Sequence, residues 1–467
     1  MPRRKNDPSK LETESPDEKR IKQDLSTEDS YEDDEVDVMK IPLPTEEGEL
    51  VITGGLNWST NGRRKPKKGD EKFANIGRNL YKPHRYKGYC GIKVAKIISG
   101  CTANHNLAIS KEGKLYSWGR NEFGQLGHGD TDRYDLPKQV ESLSHLKIVN
   151  AAVGKSHTLC LTDSGKVYAF GENTQGQLGI GKQSSYVPSP TQVNMKSFVV
   201  DISCGGEFSM IVDIDGYVYS FGCPEYGQLG NNTDGKYFVA SNKLSFDSVS
   251  SPFRIPLWRE KTRSGQVIPV QDVKVIKVEC GNNHTIALDS KKRIFTWGFG
   301  GYGRLGHSEQ KDEQTPRLVE AFNRENRGAT RIFAGSTFSL AINESGMTMF
   351  WGLQGTISSR ETTMYPKPVQ DLTGWNVKSL GCGSRHIAVS ADDNVIVWGI
   401  GTSSGELGLG EQRKSSANPL ILKAMEGLSV LEVACGQIHT IFKVRNDSEQ
   451  DEDRLKQLPL FDSNNGK

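Results

Sequence analysis

Residues 153–171 read V-G-K-S-H-T-L-C-L-T-D-S-G-K-V-Y-A-F-G, and this stretch recurs along the chain. A glycine opens it, a ring follows three residues later, and a hydrophobic run, a turn and an aromatic-glycine pair complete it. The interval between its first and last glycines is 17 residues, and 17 recurs from Gly205, from Gly281 and from Gly335. It is 16 from Gly383 and 19 from Gly100. A seventh opening, C-G-Q-I-H-T at residues 435–440, has no closing half after it, but a closing half stands near the other end of the chain as G-E-L-V-I-T-G at residues 48–54.

Self-similarity at a period near 50 residues signals a repeat array or a propeller. Within each copy, K-L-Y-S-W (114–118) and R-I-F-T-W (293–297) alternate with period two and are rich in aromatic and branched residues, as strands are. D-S-G at residues 163–165 is a hairpin-type turn, and long helical periodicity is absent. The spacing predicts four short antiparallel strands per repeat, packed radially. An open array needs capping repeats at its ends. Here the ends carry complementary halves of one unit, so the fold expected is an all-β, seven-bladed β-propeller closed by its N- and C-terminal strands, with acidic disordered tails at residues 1–45 and a polar tail at 446–467.

Most copies also carry G-Q-L-G or a close variant, at residues 124–127, 176–179, 227–230, 303–306 and 405–408. Its glycines permit tight turns at positive φ, and its leucine is placed to plug the blade. The Trp351 copy replaces it with T-I-S-S-R-E, and the split copy lacks it. The combination resembles the regulator of chromosome condensation repeat family over residues 50–444. The strings S-F-G-C-P-E-Y-G-Q-L-G (220–230), W-G-F-G-G-Y-G-R-L-G-H (297–307) and M-Y-P-K-P-V-Q-D-L (364–372) are similar to its second, telophase-disc member, of the chromosomal-passenger type.

The formal net charge of +2 hides a segregation. Residues 1–49 carry 8 Lys+Arg against 16 Asp+Glu, residues 446–467 carry 3 against 6, and residues 50–445 carry 48 against 35. A basic body between acidic ends points to an acidic partner surface. The 8 cysteines form no C-x-x-C framework. Cys204, Cys280, Cys382 and Cys435 share the position before the repeat glycine and read as small buried hydrophobes. No signal peptide or apolar spanning run is evident, so a reducing compartment and no membrane span are expected.

In residues 1–45, Arg3, Arg4 and Lys5 with Lys19, Arg20 and Lys22 are similar to a bipartite nuclear import signal; the alternative is a solvated polar tail. Two insertions interrupt the repeat. Residues 59–87 carry ten basic residues against two acidic ones, among them Arg63, Arg64, Lys65, Lys67, Lys68, Lys82, Arg85 and Lys87. Residues 233–270 carry six against three, with Arg254, Trp258, Arg259, Lys261 and Arg263 as candidate partner-binding residues. Both fall between an aromatic-glycine strand and the next opening glycine, so they are expected to project from one face. Arg120, Glu122, Glu172, Glu225, Tyr226, Tyr302 and Arg304, in the turns around G-Q-L-G, suit either a protein-binding face or the stiffening of turns.

No catalytic residue, metal site or cofactor is expected. His105, His157, His284, His386 and His439 recur at the ring position, but Phe208 and Phe338 fill it in two copies. Equivalent positions are spread around a ring rather than gathered, so these histidines read as structural. No phosphate-binding, zinc-protease or nucleophile-elbow motif is present. The resemblance implies a monomeric regulator of a Ras-superfamily small GTPase, by guanine-nucleotide exchange or switch-region binding, acting in mitosis and chromosome or spindle organisation. It implies a place in the nucleus and on chromosomes, at the spindle or midbody in division, and partly in the cytoplasm. The alternative is a scaffold that binds chromatin or microtubules through the basic face without exchange.

Overall fold

The computed structural model describes residues 39–58, 79–240, 243–262, 264–354 and 362–462. The chain divides into two units, Met1–Met39 and Lys40–Lys467, and the second carries a seven-bladed β-propeller. In the second blade the strands run outward from the axis as Ile148–Val153, His157–Thr162, Val167–Asn173 and Ser184–Gln192, each antiparallel to the last. The second strand of a blade is buried at every residue, as in His157–Thr162 and His284–Asp289. Blades stack face to face, so this strand meets a neighbour on both sides and reads as a continuous apolar run rather than an alternation.

The split repeat closes the ring. The seventh blade takes its inner strands Val430–Cys435 and His439–Val444 from one end of the chain. Gly48–Gly55 and Asn79–Tyr86 come from the other. The join is antiparallel, with Glu49 opposite Val444 and Gly54 opposite His439, and all of Gly48–Gly55 is buried.

The repeat motif is a set of contacts between blades. A Cβ on Gly154 would lie 2.1 Å from Cε1 of His157, and one on Gly281 equally 2.1 Å from Cε1 of His284. The opening glycine thus leaves room for the ring three residues on. Each ring then reaches the next blade. His157 Nε2 lies 3.0 Å from Ser209 Oγ, His284 Nε2 2.9 Å from Ser339 Oγ, and His386 Nε2 3.0 Å from Thr440 Oγ1. Those hydroxyls donate onward to backbone carbonyls of the G-Q-L-G loop: Ser209 to Gln177 at 2.8 Å, Ser339 to Arg304 at 3.0 Å, Thr440 to Glu406 at 2.7 Å. A hydroxyl that donates to a carbonyl must accept from the imidazole, which assigns the proton to Nε2. The ring nitrogens join adjacent blades rather than adjacent strands. At the closure, His439 Nε2 donates to Asn106 Oδ1 at 2.7 Å. The G-Q-L-G leucines, Leu126, Leu178, Leu229, Leu305 and Leu407, are 0–1% exposed.

Within the polar tail, where D-E-D-R-L-K-Q suggests a short helix at residues 451–457, the chain forms helix Glu449–Lys456, and beyond it the strand Leu460–Phe461. Leu455 and Leu458 are buried in the core cluster that holds Val430 and Phe442. Leu460–Phe461 adds in parallel to the outer strand of the seventh blade, with Arg85 opposite Leu460. Apolar side chains spaced through an acidic segment anchor it to the ring, and burying each leucine is worth about 1.5–3 kcal/mol.

Candidate partner-binding surfaces

The antiparallel order sorts the connections into two faces. Links from first to second strand, and from third to outer strand, emerge on one face, here the loop face; the remaining links emerge on the opposite, turn face. The innermost strands line a central channel with a cavity of about 410 Å³. One level of its wall is polar. Asp201 accepts from Val278 N at 2.9 Å, Ser379 from Val433 N at 3.0 Å and Glu432 from Ile97 N at 3.1 Å, each reaching the next blade. Lys277 pairs with Asp201 at 2.9 Å and Glu279 at 3.3 Å. Nearer the loop face the channel is lined by Cys204, Cys280, Cys382 and Cys435, whose thiols burial pushes up, Cys204 and Cys435 to about 12. Thiols so protonated are poor nucleophiles. Among the described residues no group of three or more His, Cys, Asp or Glu is arranged to hold a metal ion, and no helix is long and apolar enough to cross a membrane.

The G-Q-L-G turn residues lie on the loop face, and most are engaged within it. Arg120 is 8% exposed and pairs with Glu122 at 2.7 Å. Arg304, only 2% exposed, donates to the carbonyls of Gly301 at 3.0 Å and Ser336 at 3.2 Å. It stacks 4.6 Å over the Phe299 ring, and burial pulls its guanidinium down to about 10. Tyr226 packs 4.8 Å from the same ring. Glu172, Glu225 and Tyr302 are half-buried; burial raises the Glu172 carboxyl, and Tyr302 holds a positive φ of 63°. These contacts stiffen the turns.

The insertion at 233–270 is two devices, because the outer strand of the third blade, Val249–Arg254, divides it. The first is a hairpin of Lys236–Ala240 and Lys243–Phe246, a two-stranded sheet paired to no blade. It stands on the loop face and presents Tyr237 at 48% exposure, Phe238 at 75%, Val239 at 58% and Leu244 at 43%. Contiguous exposed apolar side chains are uncommon on monomeric protein surfaces. The signal was a run of aromatic and branched residues inside a polar insertion.

The second device leaves from the other end of that outer strand, so the expectation of one shared face does not hold for it. Arg259–Lys261 and Val267–Pro269 form a short hairpin laid along the outer strand of the fourth blade, with Arg259 opposite Arg317. Arg259 pairs with Glu313, and Lys261 with Glu309 at 3.1 Å. Trp258 packs edge-on against Phe295 at 5.0 Å and Trp297 at 5.8 Å, so it is an anchor of the core. Arg254 stacks 3.3 Å over Tyr217.

Of the basic insertion, Lys82 and Arg85 belong to the outer strand Asn79–Tyr86. Arg85 pairs with Glu49 at 2.6 Å, and Lys87 with Asp462 at 2.7 Å. Arg63, Arg64, Lys65, Lys67 and Lys68 lie outside the described residues, as do Arg263 and the import-like set Arg3, Arg4, Lys5, Lys19, Arg20 and Lys22. The flanks of the basic insertion are described: Trp58 follows the third strand of the seventh blade and Asn79 opens its outer strand, the same connection that carries the aromatic hairpin in the third.

The repeat described as "Regulator of chromosome condensation (RCC1) repeat" matches residues 112–161, 164–212, 215–288 and 292–342. The chain is 50% identical over 416 residues to Protein RCC2 of Mus musculus, covering 89% of this chain and 80% of that protein. It is likewise 50% identical over 416 residues to Protein RCC2 of Homo sapiens, covering 89% and 79%. Among solved structures, Prp20p from Saccharomyces cerevisiae, described with its binding properties to Gsp1p and histones, superposes with a TM-score of 0.65 at 19% identity, covering 89% of this chain and 96% of that one. At that identity the likeness is one of fold.

Proposed function

The chain belongs to the regulator of chromosome condensation repeat family, and from that premise we propose that it regulates a Ras-superfamily small GTPase, by exchange or by switch-region binding, in mitosis and chromosome or spindle organisation. The observation that carries the reading is the loop-face hairpin. Its Tyr237, Phe238, Val239 and Leu244 are held in the open by a rigid ring, an arrangement suited to anchoring a protein partner. Nucleotide exchange is differential binding to the nucleotide-free state and needs no acid, base or nucleophile. Prp20p, a propeller of this fold described with its binding properties to Gsp1p and histones, supports both a GTPase and a chromatin partner. The fitting place of action is the nucleus and chromosomes, with the spindle or midbody in division.

A second reading rests on the basic insertion, whose flanks share the connection type of the hairpin. In it the loop face binds an acidic partner, chromatin or microtubules, without nucleotide exchange. Such binding falls steeply with salt, whereas a packed protein interface depends on salt less.

The test is release of labelled GDP from a panel of small GTPases, with the full chain, with Phe238→Ala, and with 236–246 replaced by a short Gly-Ser link. Acceleration of one GTPase that the replacement abolishes supports exchange. Salt-resistant capture of a GTPase without acceleration supports switch-region binding. Salt-sensitive binding to nucleosomes or microtubules alone supports the scaffold and refutes the GTPase reading.

A further inference from the structure

A groove runs along the outer rim between the hairpin Arg259–Lys261/Val267–Pro269 and the fourth and fifth blades. It consists of two cavities of about 480 and 300 Å³, and Lys261 and Arg317 line both. The smaller adds Arg324, Arg327 and Tyr365, with one carboxylate, Glu320. The larger cavity also carries Lys311 with Glu260 and Asp312 and is nearly balanced, so the excess of cations lies at the smaller one. Glu309 accepts from Arg317 at 2.5 Å and from Lys261 at 3.1 Å, and Glu313 accepts from Arg317 at 2.8 Å and from Arg259.

Donors remain in excess. Arg317 is 9% exposed, yet its Nε–H has no acceptor, and neither has that of Arg259. A buried donor without a partner is costly and asks for an explanation. Arg327 is exposed and makes no ion pair among the described residues. Arg324 meets Glu320 at 3.3 Å where both side chains are about half exposed or more, and such a surface pair is weak and readily exchanged.

We propose that this rim groove binds an extended acidic peptide segment of a partner protein, its carboxylates seated on Arg317, Arg324 and Arg327 beside the open ring of Tyr365. The groove reaches the loop face at one end, through Asn232, His307 and Lys311, but its binding chemistry does not depend on the GTPase reading. A peptide fits better than a nucleic acid because Glu320 and Glu325 stand among the arginines. A phosphodiester chain carries a charge on every unit and would meet both carboxylates, whereas a peptide of alternating acidic residues sets neutral positions against them.

The experiment is fluorescence anisotropy of a labelled peptide of alternating Glu and Ser with the full chain, at low and at raised salt. The variants are Arg324→Glu/Arg327→Glu in one chain and Lys261→Gln in another, with Lys423→Glu as an exposed control. Circular-dichroism melts establish that each is folded, and Arg327→Gln replaces the double variant if it is not. The expected result is at least a roughly tenfold loss of affinity in the double variant, a smaller loss in Lys261→Gln and none in Lys423→Glu. Peptide affinity unchanged in the groove variants overturns the proposal. So does a single-stranded oligonucleotide that displaces the peptide at lower concentration and is weakened by the same variants, which would make the groove a nucleic-acid site.

Discussion

Gly281→Ala tests whether the repeat glycine exists to seat the ring. The new Cβ would lie 2.1 Å from Cε1 and 2.4 Å from Nδ1 of His284, and 2.5 Å from the carbonyl oxygen of Gly335 in the next blade. The last contact is backbone, so the ring must give way. Moving it breaks the 2.9 Å bond to Ser339 Oγ, worth about 1 kcal/mol. Overpacking a closed site adds about 1–3 kcal/mol, so the expected cost is about 2–4 kcal/mol. His284→Phe should cost only about 1 kcal/mol, because Phe208 and Phe338 fill the same place behind Gly205 and Gly335, and Ser339 keeps its bond to the Arg304 carbonyl. The assay is urea unfolding followed by circular dichroism for Gly281→Ala, His284→Ala and the double variant. In the His284→Ala background the share of the cost owed to the ring should vanish, since the two residues are in contact, while the share owed to the 2.5 Å approach to the Gly335 carbonyl remains. A cost below about 1 kcal/mol for Gly281→Ala, or the same cost in both backgrounds, would refute the argument.

Acid should loosen the ring. Burial holds His105 and His439 down to about 3 and His157 and His386 to about 4, against 6.5 ordinarily. Between pH 6.5 and about 4 the unfolded chain binds protons that the folded chain refuses, so stability is full above 6.5 and falls as pH drops. The slope is up to about 1.4 kcal/mol per pH unit for each such histidine; His157→Phe should remove one proton from it in unfolding experiments run across that range. Leu455→Ala should cost about 2–5 kcal/mol by thermal or urea melts, as a core leucine does; a neutral result would mean that the C-terminal helix does not bear on the ring. Phe238→Ala, at 75% exposure, should leave the melt unchanged while weakening partner capture about tenfold or more; a shifted melt would make that ring structural.

The ring was legible because the residues that repeat are the ones that touch between blades. Gly154, His157 and Leu178 each answer to a neighbour at a fixed offset, so their spacing carried the blade count and the closure. The partner of the histidines was also written in the sequence, one position after the ring. That place holds Asn106, Thr158, Ser209, Ser339 and Thr440 where the preceding blade offers a histidine, and Thr285 and Ile387 where it offers Phe208 and Phe338, which have no nitrogen to pair. Elsewhere composition misled. The acidic content of 446–467 hid Leu455, in the last turn of the helix, and Leu458, just past its end, both of which reach the core. The length of 233–270 read as one loop because Val249–Arg254 is too short and too exposed to announce itself as an outer strand. Arg120 and Arg304 suited binding and turn-stiffening alike in the sequence; the carboxylate, carbonyls and ring they meet lie at distances that sequence does not show.

The join between Gly48–Gly55 and His439–Val444 has a consequence for how the protein is made. The second of these strands leaves the ribosome long after the first. At about 5–20 residues per second the wait is roughly 20–80 s. Throughout it a strand that is buried at every residue in the finished ring stands with one edge open, the hazard that edge pairing with other chains exploits. Six blades can assemble in the meantime as nearest neighbours, but none of them can satisfy the seventh. Translation that stalls before residue 439 therefore yields a broken annulus rather than a smaller propeller, and such a product should be a client for chaperones or degradation.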